Sequence, residues 1–171
     1  DLISYRLKNE KLVKLKKTDK IVIKNKKYQI KIFENQLDGS EHFALIKGKI
    51  SPSKNTRVRV ISSNLVESYL LGKRLPNSFN NTLDYFKDYN NCVLVFIRDS
   101  NLKSVSSTLR DFKSDKKNKI GTDKLIRNYG IGAQIIKALR VKNMILVTRS
   151  PKKVIGLEGF GIRITKQEII K

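Results

Sequence analysis

The stretch that decides the fold reads RNYGIGAQIIKALRVKNMILVTRSPKKVIGLEGFG at residues 127–161. Gly130 and Gly132 let the backbone approach a neighbour or a ligand closely where a helix begins, although such glycines are as typical of turns and packing contacts. The helix they introduce has an apolar face made by Ala133, Ile135, Ile136 and Leu139. The run 144–147 that comes next is typical of a short strand. The stretch therefore predicts a helix that leads into a strand.

The chain around this stretch also alternates strands with helices. We expect a helix at 79–88, a buried strand at 92–97, a second helix at 102–112 and a last strand at 161–165. A charged loop at 113–119 comes before Asp123, which is suited to capping the next helix.

The first half of the chain is rich in strands instead. Its alternating apolar residues predict strands at 21–23, 28–33, 41–46 and 57–61, separated by turns at 24–27 and 38–40. The fold class is therefore α+β (mixed α/β), with a strand-rich N-terminal half and a strand–helix–strand C-terminal half.

Residues 1–19 differ in composition from the rest of the chain. They are polar and lysine-rich, and Leu7, Leu12 and Leu15 have helix-like spacing. We expect 1–19 to be the remnant of an interdomain linker or helix outside the core, and 20–171 to be one domain.

The net charge of +22 raises the question of nucleic-acid binding, because cationic side chains bind phosphates. The lysines are spread from Lys8 to Lys171, as in proteins of AT-rich genomes, and no aromatic residues alternate with them as a base-stacking surface needs. We expect a general preference for anionic ligands and no dedicated nucleic-acid binding.

No apolar run is long enough to span a membrane, and the first residues lack the layout of a signal peptide. The expected compartment is the cytoplasm. Cys92 is the only cysteine, so the chain has no internal disulfide and no cysteine cluster for a metal. Cys92 lies in an apolar run and is interpreted as a core residue.

As a string, 127–161 resembles the C-terminal part of the GTP cyclohydrolase II family, which has the runs Arg-Asp-Tyr-Gly-Ile-Gly-Ala-Gln, Leu-Thr-Asn-Asn-Pro-Arg-Lys and Gly-Leu-Glu-Gly-Tyr-Gly. Residues 38–42 and 45–48 are similar to the start of that family's domain. Residues 1–6 and 10–13 resemble the connector of riboflavin-pathway proteins in which a dihydroxybutanone phosphate synthase domain comes first. The resemblance covers the whole chain and is weakest in the middle.

The resemblance implies a zinc chemistry whose ligands are missing here. In the family, three cysteines hold a zinc ion that activates water to open the guanine ring of GTP and release formate, and pyrophosphate is also cleaved. The matching positions carry Asn64, Leu75 and Asn77. An amide is a poor zinc ligand and leucine is none. We expect no cofactor, although the family uses zinc and magnesium.

A second family element, Arg-Gln-Glu-Gly-Arg-Gly-Ile-Gly, contacts phosphate and magnesium. Here the matching segment is 98–103, without the glutamate and the glycines, and Asp99 is interpreted as a solvated carboxylate. The family's aspartate before its essential arginine is replaced by Leu125.

Five residues still match the family's site. The resemblance makes Arg127 the residual catalytic candidate on phosphate, and it makes Arg59, Arg74, Thr148 and Lys153 nucleotide-binding residues. Arginine suits phosphate because it is always charged and donates in pairs. The alternative for all five is inherited surface or interface charge.

Three functions remain open. The favoured one is a cyclohydrolase-like domain that no longer opens the ring and supports a fused or partner synthase domain or a homodimer. The others are zinc-independent pyrophosphate release from GTP through Arg127, and a regulatory module that binds GTP or a related nucleotide.

Overall fold

The computed structural model describes Tyr5 and residues 9–64, 66–70, 75–99, 103–113, 130–151 and 157–171. The strands are β1 Val13–Ile23, β2 Lys26–Asn35, β3 Glu41–Lys47, β4 Asn55–Ser63, β5 Cys92–Arg98, β6 Asn143–Thr148 and β7 Arg163–Ile169. The helices are α1 Leu75–Phe86, α2 Ser104–Lys113 and α3, whose described part covers residues 130–138. A π-helical turn occupies Val66–Leu70, and a 3-10 turn occupies Leu157–Phe160.

The strands form a seven-stranded mixed sheet in the order β1-β2-β3-β5-β4-β6-β7. Strands β1, β2, β3 and β5 pair antiparallel, whereas β5, β4, β6 and β7 pair parallel. The carboxyl ends of the four parallel strands therefore meet at one edge of the sheet, where open α/β sheets usually bind ligands.

Each face of the sheet has its own apolar core. On one face, the α3 face, Ile131, Ile135 and Ile136 pack with strand residues such as Val58 and Val95. The opposite face, the α1 face, carries a second cluster whose members include Leu83, Phe86, Leu45, Ile61 and Leu94. Alternating side chains on the central strands supply both cores, which is why the run at 92–97 is so apolar.

The expectation for the first residues is wrong from Val13 onward. Residues 13–19 are the first part of β1 and not a helix, so this strand runs through the predicted boundary between 19 and 20. Leu12 and Val13 are buried in the core of the α3 face, although we expected 1–19 to lie outside the core. The leucines have a helix-like spacing, but the segment from Val13 onward is a strand because it pairs with β2 over its whole length. The division into linker and domain itself stays a prediction.

Most other expected elements are confirmed. Strands β2 to β4, the helices α1 and α2, and the strands β5 and β6 lie where the patterns placed them, within a few residues, whereas β1 begins at Val13 and not at residue 21. The last strand is displaced: β7 runs from Arg163 to Ile169, whereas we expected 161–165. The loop beyond residue 113 and the cap at Asp123 lie outside the described residues. Within the described residues, no helix is long and apolar enough to cross a membrane.

Candidate functional site

Asn64 stands at the carboxyl edge of the sheet, directly after β4; the family resemblance aligns it with a zinc-binding cysteine. Its side-chain amide donates to Asp99 Oδ2 at 3.0 Å and to Thr108 Oγ1 at 2.8 Å. Its side-chain oxygen accepts from the Val66 amide at 3.0 Å. Asn64 is only 5% exposed. The residue therefore joins the ends of β4 and β5 to α2 and the π-helical turn.

The backbone strengthens this junction. The Asp99 amide donates to the Ser63 carbonyl at 3.1 Å, and the Ser68 amide donates to the Asn64 carbonyl at 2.9 Å. Asp99, which we expected to be a solvated carboxylate, accepts a hydrogen bond from a buried amide. That sequence interpretation is therefore wrong: the carboxylate has a structural partner.

The other two replaced positions lie on α1. Asn77 is exposed, and Leu75 is the first residue of the helix. Asn64 is buried and fully engaged, so the two asparagines have different surroundings. An engaged amide, an exposed amide and an aliphatic side chain do not fit a zinc ion, which takes thiolate, imidazole or carboxylate ligands. Among the described residues, no group of three histidine, cysteine or acidic side chains could hold a metal.

Arg59 lies in the middle of β4 and is only 9% exposed. Its Nη1 donates to the carbonyl of Val147 on β6 at 3.2 Å. The neighbouring side chain of Val58 belongs to the α3 face, so alternation places Arg59 on the α1 face. The guanidinium thus adds a side-chain bond between two parallel strands near their carboxyl ends.

Thr148 ends β6 at the same edge and is 3% exposed. Its hydroxyl donates to the Ser150 carbonyl at 2.6 Å. Leu146, two residues earlier, packs on the α3 face, so Thr148 points to that side of the sheet. Thr148 therefore ends its strand at the edge, whereas Arg59 lies in mid-strand beside Val147, and the two side chains point to opposite faces. Arg74, Arg127 and Lys153 lie outside the described residues.

A buried histidine at this edge escaped the sequence analysis. The Arg98 amide donates to His42 Nδ1 at 3.0 Å, so the ring proton resides on Nε2, which lies 3.1 Å from Ser40 Oγ. The Ser40 hydroxyl in turn donates to Asp38 Oδ1 at 2.6 Å. Burial lowers the pKa of His42, the Asp38 carboxylate opposes this, and the charge of Arg98 adds to it. The sequence contains one sign of this hydrogen-bonded chain: an acid, a hydroxyl and an imidazole occupy alternate positions in 38–42.

A second cluster was also missed, on the α1 face. The Arg57 guanidinium lies 3.6 Å from the centre of the Tyr89 ring and donates to Tyr85 Oη at 3.0 Å. It forms an ion pair with Glu168 on β7 at 3.3 Å. These contacts join β4, β7 and the end of α1. Arginine is suited to this because its planar group both stacks and donates in several directions.

Cys92 is confirmed as a core residue. It is fully buried in the core of the α1 face, and burial raises the pKa of its thiol to about 11. A thiol that holds its proton so firmly is neither a good nucleophile nor a good metal ligand.

The comparisons with known proteins agree with this fold and these motifs. The family model described as GTP cyclohydrolase II matches residues 15–168, so the chain belongs to the GTP cyclohydrolase II family.

Its relatives include a probable monofunctional riboflavin biosynthesis protein RIBA 3 of Oryza sativa subsp. japonica, 31% identical over 96% of this chain and 33% of the relative. Riboflavin biosynthesis protein RibBA of Chlorobium phaeovibrioides is 29% identical over 98% of this chain and 43% of the relative. The chain thus spans about a third to two fifths of the relatives it matches.

A solved structure has the same fold. It is RibBX, described as a two domain 3,4-dihydroxy-2-butanone 4-phosphate synthase from A. baumannii, with a TM-score of 0.65 and 23% sequence identity. The match covers 99% of this chain and 43% of that chain.

Proposed function

We propose that this chain is a cyclohydrolase-like domain of riboflavin biosynthesis that does not open the ring of GTP and that supports a synthase domain. The observation that carries the proposal is the burial and hydrogen bonding of the Asn64 side chain. Where the family has a zinc ligand, this chain has a buried amide that bonds Asp99 and Thr108. The position serves the junction of the strand ends, and a metal there would have to displace those bonds.

The other replaced positions support the same proposal. The attack on the guanine ring needs a water activated by zinc, and zinc needs charged or imidazole ligands. Asn77 and Leu75 supply neither, and the chain's one thiol is buried in another part of the sheet. These three residues therefore cannot hold the zinc ion that the ring-opening step needs.

The names of the relatives support a role beside a synthase. Some are called monofunctional riboflavin biosynthesis proteins, and another is called bifunctional. The similar solved fold belongs to a two domain 3,4-dihydroxy-2-butanone 4-phosphate synthase. In our proposal, the partner of this chain is a synthase domain, fused or separate, and the assembly is a homodimer.

A nucleotide remains part of the proposal. Thr148 ends β6 at the sheet edge where a phosphate-bearing ligand of an α/β protein usually lies, and Arg59 lies next to Val147 on the other face. Arg127, Arg74 and Lys153 would add charge to the same ligand, with Arg127 acting on the phosphates. Both side chains that the structure describes already have protein partners, Val147 and Ser150, so any GTP site is weaker than that of a working enzyme.

The test is turnover of GTP by the purified chain with zinc and magnesium, following formate and pyrophosphate separately. A relative that keeps the three cysteines serves as the positive control. We expect neither product from this chain. Formate release that depends on zinc would overturn the proposal. Pyrophosphate without formate, abolished by Arg127→Ala, would favour the zinc-independent reaction instead.

The supporting role has its own measurement. Synthase activity and its thermal inactivation are compared in the full protein with and without the substitution Asn64→Ala, which loosens this domain. We expect the variant to lose synthase activity at a lower temperature than the wild type. Identical inactivation curves would mean that the synthase does not depend on this domain.

A further inference from the structure

The hairpin formed by β1 and β2 carries an unusual basic surface. Every residue of β1 from Lys14 to Val22 is exposed, and this strand is the edge of the sheet. Lys20 pairs across the hairpin with Gln29, and Lys27 and Lys31 lie two residues before and after Gln29 on β2. Side chains two residues apart on a strand share a face, so the three lysines point the same way. We call them the lysine cluster.

The cluster continues the α3 face past the point where its core ends. Phe33, two residues after Lys31, is buried in the core of that face. On the opposite side of the same hairpin, Tyr28 and Ile30 pack in the core of the α1 face. Strand β2 thus has one apolar side that packs on the protein and one side that carries lysines, of which Lys27 is exposed and Lys31 is half-buried.

The carboxylate next to the cluster along the chain, Asp19, lies on the opposite face of β1 and pairs with Lys17. Other lysines of the hairpin are paired: Lys16 with Glu34, Lys17 with Asp19, and Lys24 with Asp84. Within the part of the chain that the structure describes, no ion pair involves the lysine cluster. Its other neighbours on that side are Thr18, Val22 and Gln29, with no acidic residue among them. Like charges at neighbouring positions of a sheet repel each other, so binding of an anionic partner would reduce the electrostatic repulsion among the three lysines.

We propose that the lysine cluster is a docking surface for an acidic protein surface. Two observations favour a protein over a nucleic acid. The surface has no aromatic side chain on which a base could stack. It does have an apolar contact point, because Val22 is 63% exposed and pairs with Lys27. Carboxylates around an apolar side chain are the complementary arrangement.

The overall charge of the chain would assist this docking but does not define it. A net charge of +22 attracts any polyanion from a distance and increases the rate of encounter. In our proposal the partner lies at the lysine cluster, because its three lysines share one face of the hairpin and form no ion pair among the described residues. A variant that lowers the net charge elsewhere is therefore the matched control.

The experiment measures binding of fluorescent poly-L-glutamate by anisotropy at low and at physiological salt. The cluster variant is Lys20→Gln, Lys27→Gln and Lys31→Gln. The control variant is Lys54→Gln, Lys113→Gln and Lys137→Gln, which removes the same charge from exposed residues in the turn before β4, on α2 and on α3. We expect the cluster variant to bind about tenfold more weakly and the control to change less than about threefold. A third variant with arginine at the three cluster positions should bind like the wild type.

Three outcomes would overturn the proposal. One is an equal loss in the cluster and control variants, which would assign binding to net charge alone. Another is no binding of poly-L-glutamate by the wild type at low salt. The third is tighter binding of a single-stranded oligonucleotide of the same charge, lost only in the cluster variant, which would make the partner a nucleic acid. Thermal unfolding of each variant checks that the protein has folded. If the glutamines destabilise the hairpin, the arginine variant still tests the role of the positive charges, because it keeps them.

Discussion

The side-chain oxygen of Gln134 on α3 accepts a hydrogen bond of 2.7 Å from the amide of Leu12, a residue 122 positions earlier in the chain. The same oxygen lies 3.2 Å from the Val13 amide, and the Gln134 side-chain nitrogen donates to the Glu10 carbonyl at 2.9 Å. One side chain therefore satisfies the backbone where β1 begins and holds that segment against α3.

Replacing Gln134 by alanine should release the start of β1. The change leaves buried amides without their acceptor, which costs about 2 kcal/mol of unfolding free energy. We expect hydrogen exchange at the Leu12 and Val13 amides to accelerate more than at amides in β5. Lys137→Ala, at an exposed position of the same helix, is the control and should leave both amides protected. Unchanged protection in Gln134→Ala would contradict the assignment.

The two asparagines at replaced cysteine positions should respond differently to alanine. Asn64→Ala removes the donor to Asp99 and Thr108 and should lower the free energy of unfolding by about 2–3 kcal/mol. Asn77→Ala changes an exposed side chain and should cost no more than about 0.5 kcal/mol. Urea denaturation of both variants checks this. Equal effects would show that Asn64 has no special structural role.

Two glycines with left-handed backbones form a second matched pair. At Gly48, with φ +79°, an added Cβ would overlap the carbonyl of Asn90, and the backbone there would have to shift. At Gly39, with φ +71°, an added Cβ meets nothing within 4 Å. We expect Gly39→Ala to cost about 1 kcal/mol from backbone strain alone, and Gly48→Ala to cost about 3 kcal/mol or more. The check is thermal unfolding of both variants. Equal melting temperatures would contradict the steric argument.

The pH dependence of stability should contain a contribution from the chain's single histidine. The pKa of His42 is lowered in the folded state by burial, so the unfolded state binds more protons below about pH 6.5. This contribution is complete above that pH and is lost as the pH falls through the histidine's folded pKa.

An NMR titration of the imidazole should show a midpoint below 6.5, with the proton of the neutral ring on Nε2. His42→Gln should lose the corresponding part of the pH dependence measured by urea unfolding between about pH 7.5 and pH 5.5. A midpoint at or above 6.5, or a proton on Nδ1, would contradict the hydrogen bond from the Arg98 amide.

The central strands and helices could be predicted well from the sequence, because the pattern of apolar residues within each short segment determines them. The apolar run 92–97 is covered on both faces, and the alternation at 57–60 places Val58 and Val60 on the α3 face and the two arginines on the other. It did not predict the first part of β1, because exposure on both faces removes the alternation that identifies a strand.

The site could be predicted only where a family motif carried it. The three replaced positions rest on the family resemblance and stay a prediction. The bonds of Asn64 were not, because Asp99 and Thr108 lie 35 and 44 residues away and meet it only in the folded sheet. The partner of Arg59 is a backbone carbonyl, for which no side chain in the sequence gives a sign.

The place of β5 between β3 and β4 has a consequence for dividing the protein. The strand comes from the second half of the chain, yet it completes the hydrogen bonding of two strands from the first. A cut between α1 and β5 would leave β3 without one neighbour and β4 without either neighbour in the N-terminal fragment, and β5 without both neighbours in the C-terminal fragment. Such edges promote aggregation, so the fragments should remain soluble only when they are produced together.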